Sequence, residues 1–326
     1  MTPGTTELST RELPDSIETG IPVVTVAAAN ALDRLAESAA ELRATALERG
    51  AVLVRGLDIR THEHAAAASR ALTSELMREV EGFAPRQALP GGVYSSTEWP
   101  PDQPMCMHHE LTSAPRHPQW MIFSCLSAGT TGGAVSLADA SKVLDDLPAE
   151  ILEPFAQDGW QLVRNYDQLV GLSSAAAFGT DDPAAVDAYC RLHGIGFSRS
   201  PGGGLHTRQT LPAVVTHPVT GRRCWFNQIA FLNEWTMDPA VREFLVSEFG
   251  AEGLPFNTLF ADGTPLTPAI VETINAVYDR HAMRVPLRDG DLLLVDNIGT
   301  SHSREPYGGE REMVVALGDP LPRLHG

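Results

Sequence analysis

Two histidines and a glutamate are the residues most able to do chemistry. His108 and Glu110 stand one residue apart in "PMCMHHELTSA", and His302 lies in "DLLLVDNIGTSHSREPYGGEREMVVAL" with Arg311 nine positions beyond it. Two imidazoles and one carboxylate form a donor set that holds Fe(II) on one face and leaves the other open for reaction. In an extended chain residues i and i+2 share a face. A strand through "CMHHEL" would therefore put His108 with Glu110 and turn His109 away. Cys106 falls on the Glu110 face in that register and reads as a buried, inert thiol rather than a fourth donor. Arg311 follows the Gly308-Gly309 turn, which would return the chain beside the same cavity. Its planar fork suits a carboxylate in a way lysine does not. An H-x-E tripeptide alone is weak evidence, and a lone His302 would read as a core histidine. The conjunction with Arg311 points to a metal centre beside an anion site.

Such a site needs a scaffold that joins distant segments. "IPVVTV" and "AVLVRGL" predict strands. Leu32, Leu35 and Leu42 predict a helix over about Ala31 to Arg49 that stops at Gly50, and another helix is expected from His64 to about Val80. The stretch from Phe83 to Glu110 is rich in Pro and Gly and suits short strands joined by a binding loop. "PQWMIFSCL" reads as a strand, "TTGGAVSLAD" as a turn into one, and Ser141 to Leu147 as a short helix. Helical pieces over Pro148 to Gln157 and Asp182 to His193 surround the Gly-rich "SPGGGLHTRQ". "DPAVREFLVSEFG" is a punctuated helix, with Asp238 as N-cap, Pro239 at its first position and Gly250 past its end. "TPAIVETINAVYDRH" is another helix, and "DLLLVDN" and "REMVVALG" are closing strands.

Strands at both ends of the catalytic half, with helices between, predict a mainly β fold with inserted helices: a double-stranded β-helix, the jelly-roll or cupin-like core. Residues 1–20 are expected as a flexible arm. Residues 21–326 are expected as a single domain with a helical insert of about 148–290. No Rossmann or P-loop pattern is present, since Gly202 to Gly204 lack the flanking strand and helix such loops require.

The net charge is 24 − 41 = −17, with no basic block, which argues against nucleic acid and anionic membrane surfaces as partners. The four cysteines, Cys106, Cys125, Cys190 and Cys224, form no C-x-x-C pair and read as reduced thiols. No apolar run reaches membrane-spanning length and the N-terminus lacks signal-peptide character. These features predict a cytoplasmic protein acting on a small-molecule substrate; the oligomeric state is not legible.

Beyond about Gly50 the chain resembles the TauD/TfdA superfamily of Fe(II)/2-oxoglutarate oxygenases, most of all its clavaminate synthase-like and syringomycin-hydroxylase-like branch. The likeness runs through "GAVLVRGL", "VYSSTEWP", "HHELTSAP", "TTGGAVSLADASKV", "VRNYD", "THPVTGRRCWFNQIAF" and "DNIGTSHSREPYGGER". It implies that His108, Glu110 and His302 ligate Fe(II), that Arg311 binds the 5-carboxylate of 2-oxoglutarate, and that O2 is the cosubstrate. Glu110 fills the place that related halogenases leave open for a halide. One departure stands out. The family pattern Gly-Gly-acid-Thr uses its Thr to help hold 2-oxoglutarate, and here Ala134 and Val135 follow Gly132-Gly133, with Ser136 facing the other way in a strand. The expected reaction is hydroxylation of an unactivated C–H bond in an amino acid or amino-acid-derived natural-product intermediate. Desaturation, cyclisation or epoxidation would use the same cofactor chemistry, and a more remote alternative is a non-redox metal-binding jelly roll. No H-E-x-x-H helix supports a metallohydrolase. Tyr94, Glu98, Trp99, Arg164, Asn165, Arg208, Trp225 and Asn227 are candidates for the substrate pocket, each as readily structural when taken singly.

Overall fold

The strand Ala51–Arg55 is buried along its whole length because both of its faces are covered. In the computed structural model, which describes residues 20–26, 30–166 and 171–325, Ala51 and Leu53 turn toward a second sheet while Val52 and Val54 pack under helices. The expected arm over 1–20 lies, apart from Gly20, outside the described residues. The large sheet has seven strands in the order Val23–Thr25, Ala51–Arg55, Leu292–Asp296, Arg116–Ser127, Glu312–Pro322, Val93–Ser95 and Ala88–Leu89. The same alternation recurs in its centre: Leu292 and Leu294 face the helices, whereas Leu293 and Val295 face inward.

A smaller four-stranded sheet lies opposite, in the order Met283–Val285, Val135–Asp139, Thr300–Arg304 and Met105–His108. Val135, Leu137 and Val285 from this sheet meet Leu53, Met121, Leu293, Val315 and Leu317 from the large one. Each such buried aliphatic side chain contributes about 1.5–3 kcal/mol. Two sheets, antiparallel except where Val23–Thr25 pairs parallel with Ala51–Arg55, closed on a common apolar interior are the jelly roll expected from the sequence.

Three helices cover the outer face of the large sheet. The helix expected over Ala31 to Arg49 is two, Ala31–Glu37 and Ala39–Arg49, broken at Ser38 (φ −96°, ψ 2°). The helix expected from His64 to Val80 is shorter and runs His62–Leu72. Beyond it, Met77 N–H donates to Leu317 O, so tertiary pairing with the large sheet overrides helix propensity there. The stretch expected as a helical insert holds helices Pro183–Leu192, Pro239–Phe249 and Pro268–His281. It also carries an antiparallel sheet ordered Gly196–Arg199, Leu205–Leu211, Trp160–Asn165, Phe256–Phe260. The Gly-rich loop at Pro201 to Leu205 is the hairpin between the first two of these strands. Among the described residues, no helix is long and apolar enough to cross a membrane.

Candidate active site

Strands Thr300–Arg304 and Met105–His108 pair antiparallel with His302 directly opposite His108. This register brings together side chains 194 positions apart. One donor atom from each of His108, Glu110 and His302 lies within 4.8 Å of the others, and all three residues are buried. Each histidine belongs to the small sheet, while Glu110 sits in the turn after the strand, just before Leu111 in the left-handed region at φ 54°. The expected strand through Glu110 thus ends two residues early. The site is completed by the turn.

A bulge also corrects the reading of Cys106. The ladder advances two residues from His302 to Arg304 and three from His108 to Met105, so one strand carries an extra residue. Met105 and His108 line the cavity, and Cys106 packs instead among the apolar side chains beneath the helices. Burial there pushes its thiol up to about 11, with Asp279 adding to the shift. His109 turns away as expected: its Nδ1 lies 2.6 Å from Asn297 O.

The donors are prepared for a cation. His108 Nδ1 lies 2.9 Å from the Cys106 carbonyl, which accepts a hydrogen bond from Nδ1–H and leaves Nε2 with its lone pair free. Phe231 stacks on the His108 ring at 4.1 Å and 13°, fixing its plane. Burial lowers the pKa of His108, and it carries that of His302 well below the usual value, with His108, His109 and Arg86 adding to the effect on His302. Both rings are therefore neutral at physiological pH, as metal ligation requires. Glu110 Oε2 accepts from Arg86 Nη2 at 2.8 Å, whereas Oε1 is buried with no hydrogen-bond partner. Glu110 Oε2 lies 4.0 Å from His302 Nε2, and a buried carboxylate converging on two neutral imidazoles with one oxygen unpartnered fits a divalent cation of the Fe(II) class.

Two residues that sequence reasoning passed over hold this arrangement. Arg86 is almost fully buried between Glu110 and Glu79, whose Oε1 is 3.6 Å from Nη1, and Arg86 Nε donates to Thr97 Oγ1 at 2.8 Å. Burial works to lower the guanidinium's pKa, but Glu110 and then Glu79 outweigh it and hold it above its ordinary value. Asn297 stitches the two ligand-bearing segments together. Its Oδ1 accepts from Glu110 N–H at 2.8 Å, and its Nδ2 donates to Glu110 O at 3.1 Å and Pro118 O at 2.9 Å. The only sequence signal for either is a side chain of suitable polarity inside a motif: Arg86 at the head of the binding loop, and Asn297 closing "DLLLVDN".

The cavity opens between the sheets with His108 and His302 on its wall. Phe123, Val135, Met313 and Val315 supply apolar surface, and Arg86, Arg304 and Arg311 supply three guanidiniums. Arg311 lies where the hairpin argument placed it. Its Nη2 is 3.3 Å from Gly133 O, burial lowers its pKa, and its guanidinium borders the Tyr307 ring at 5.3 Å. The binding loop does contribute to the cavity, but through Arg86, Ser96, Thr97 and Met105. The eight substrate-pocket candidates do not line it. Arg164 and Asn165 bind backbone carbonyls, Trp225 lies in the core, Asn227 donates to Ala213 O, and Tyr94 accepts from Glu79 N–H. Trp99 donates to Pro104 O and tilts against Phe231, Glu98 N–H binds Pro85 O in the loop, and Arg208 lines a separate cavity in the insert.

Fold and donor set together define a jelly-roll oxygenase of the two-histidine, one-carboxylate type. The family model for the taurine catabolism dioxygenase TauD, TfdA family matches residues 9–317. The chain is 31% identical over 274 residues to the dapdiamide synthesis protein DdaC of Enterobacter agglomerans, covering 84% of this chain and 83% of that one. It is 26% identical over 284 residues to a clavaminate synthase-like protein of Arabidopsis thaliana, covering 83% and 82%. In fold it is similar to PvcB from Pseudomonas aeruginosa, with TM-score 0.51 and 14% identity over 87% of this chain and 82% of that one. A taurine dioxygenase from Burkholderia xenovorans gives TM-score 0.50 and 19% identity over 92% and 88%. The chain belongs to the TauD/TfdA family; it is a 2-oxoglutarate-dependent oxygenase with Fe(II) and 2-oxoglutarate as cofactors.

Proposed function

We propose that His108, Glu110 and His302 are the iron ligands and that Arg311 holds the far carboxylate of 2-oxoglutarate. The reaction we assign is hydroxylation of an unactivated C–H bond in a small molecule, an amino acid or amino-acid-derived natural-product intermediate. The observation that carries the reading is the convergence of three buried donors from segments far apart in sequence, with one carboxylate oxygen left unpartnered. Bound together, Fe(II) and 2-oxoglutarate supply, with O2, an oxidant able to take hydrogen from carbon, the 2-oxo acid leaving as succinate and CO2.

The chain's own residues prepare that chemistry. The Cys106 carbonyl and Phe231 fix the His108 tautomer and plane. Arg86 donates to Glu110 Oε2, which also lies 4.0 Å from His302 Nε2, and so orients the carboxylate toward the imidazoles. Arg311 has no acidic side chain within ion-pairing distance among the described residues, and its charge is available for a ligand carboxylate. Phe123, Met313 and Val315 keep the cavity wall dry, which strengthens every charge interaction inside it. An amino-acid-like substrate is supported by family likeness alone.

The test is anaerobic addition of Fe(II) and then 2-oxoglutarate, followed in the visible for the charge-transfer band of a chelated 2-oxo acid. The band is expected in the wild type and absent in His302→Ala; iron bound without a band in the wild type would refute the assignment. Amino-acid-like compounds are then screened for a product heavier by one oxygen. A product lighter by two hydrogens would replace hydroxylation with desaturation.

A further inference from the structure

The cavity carries more positive charge than one carboxylate ligand explains. Of its three guanidiniums, Arg86 is matched by Glu110 and Glu79. Arg304 and Arg311 have no acidic side chain within ion-pairing distance among the described residues. Arg304 shares a strand face with His302, two residues away, and so points into the jelly roll. Its Nη2 is committed to the carbonyls of Pro100 and Gln103, in the loop over the cavity. Its Nε is buried and has no hydrogen-bond partner. A buried N–H left in this state is unfavourable, and a bound acceptor would relieve it.

The ladder shows where that donor lies. Arg304 is directly opposite Val135. Two residues before Val135 is Gly133, whose carbonyl Arg311 reaches at 3.3 Å. The Tyr307 ring lies 4.9 Å from the Arg304 guanidinium and 5.3 Å from that of Arg311. The two cations therefore flank one short segment, Gly133 to Val135, and one ring. Apart from them this end of the cavity is walled by Val135, Phe123, Met313 and Val315. A carboxylate held there by Arg311 has oxygen lone pairs left over, and the side chain at Val135 has no donor to offer them.

We propose that Arg304, through its free Nε–H, is the second guanidinium on the far carboxylate of 2-oxoglutarate, supplying the donor that Val135 lacks. This rests on the assignment of Arg311 to that carboxylate. Arg304 then tunes cosubstrate choice and ties the Pro100–Gln103 loop to the bound state, because one side chain serves both.

The experiment compares 2-oxoglutarate with 2-oxopentanoate, which has the same carbon chain but no far carboxylate. Affinities are measured by calorimetry on Mn(II)-loaded protein for wild type, Arg304→Gln, Arg304→Lys and Val135→Thr/Arg304→Gln. Manganese binding in each variant reports that the site is folded. Arg304→Gln is expected to weaken 2-oxoglutarate roughly ten-fold or more, the scale of one charge-assisted hydrogen bond, and to leave 2-oxopentanoate unchanged. Arg304→Lys, which keeps charge but loses the Nε–H, should fall between, and Val135→Thr should restore part of the loss. Undiminished 2-oxoglutarate affinity in Arg304→Gln overturns the proposal and turns Arg304 toward the substrate. Equal weakening of both acids also overturns it, since the effect would then pass through the fold or the metal. Failure of the wild type to bind 2-oxoglutarate at all would remove the Arg311 assignment as well.

Discussion

Arg86→Met should destabilise the metal-free protein strongly and the metal-loaded protein much less. Arg86 Nη2 lies 2.8 Å from Glu110 Oε2, and the two side chains are 5% and 0% exposed. Removing one partner of such a buried pair costs roughly 3–5 kcal/mol, because the other charge stays behind without compensation. Methionine refills most of the volume with flexible apolar atoms, so the cavity contribution stays small. At about 2 °C per kcal/mol, the low end of the range for domains somewhat smaller than this one, the metal-free melting point should fall by about 6–10 °C. A bound dication supplies the charge that Arg86 had given Glu110. If the metal halves a loss of about 4 kcal/mol, linkage requires the variant to bind metal more tightly by the same ~2 kcal/mol, about 30-fold.

Thermal unfolding with and without Mn(II), together with Mn(II) titration, reads both quantities. Turnover should fall even as metal affinity rises, because nothing then fixes the orientation of the Glu110 carboxylate. Adding Glu110→Gln in the metal-free Arg86→Met background should recover most of the lost stability. An equal melting-point drop with and without metal would refute the reasoning. So would weaker metal binding in the variant, which would make Arg86 an orienting group whose loss outweighs the removal of its charge.

His117→Leu should flatten the acid limb of the stability curve. His117 is fully buried with both ring nitrogens unpartnered, and burial, then Arg323, lowers its pKa to about 4. The unfolded chain, near 6.5, then binds more protons than the native one between those values. The stability involved is fully present above about pH 6.5 and is lost as pH falls through 4. Urea unfolding should show the variant gaining about 2–3 kcal/mol on the wild type between pH 7 and pH 4, while Glu79, Glu81 and Asp291, whose raised pKa values act oppositely, cancel in the comparison. Parallel curves would show that His117 is not held neutral. Gly133→Ala should weaken 2-oxoglutarate binding and spare Mn(II): Gly133 has φ +74°, and a Cβ there would sit 3.1 Å from both Arg311 Nε and Tyr307 Cβ. Unchanged 2-oxoglutarate affinity would show that the glycine does not set the Arg311 position.

The convergence of His108, Glu110 and His302 was legible because a metal centre needs particular residue types and their spacing follows local chain geometry. Strand positions were legible where both faces are buried, as in Ala51–Arg55 and Leu292–Asp296. What failed was whatever a distant contact decides. The break at Ser38 follows no Gly or Pro, and the shortened helix after Leu72 yields to pairing of Met77 with Leu317. The substrate-pocket candidates were aromatic, polar or charged side chains of the right kind, yet Arg164, Asn165 and Asn227 spend their donors on buried carbonyls.

Arg86 and Asn297 show why a site is harder to read than its ligands. Arg86 acts on Glu110 across 24 positions and Asn297 across 187, and neither separation leaves a period in the sequence. The bulge beside His108 is likewise silent, although it decides that Met105 rather than Cys106 faces the metal site. A ligand's identity is constrained by the metal, so it is written in residue type. Its orientation is constrained by hydrogen bonds from wherever the fold can supply them, and many residue types at many positions can serve. The same freedom lets a guanidinium on one strand take over from a hydroxyl missing on its neighbour. Arg304 opposite Val135 is therefore the place where a departure from the family pattern and an unpartnered donor meet in one cross-strand pair.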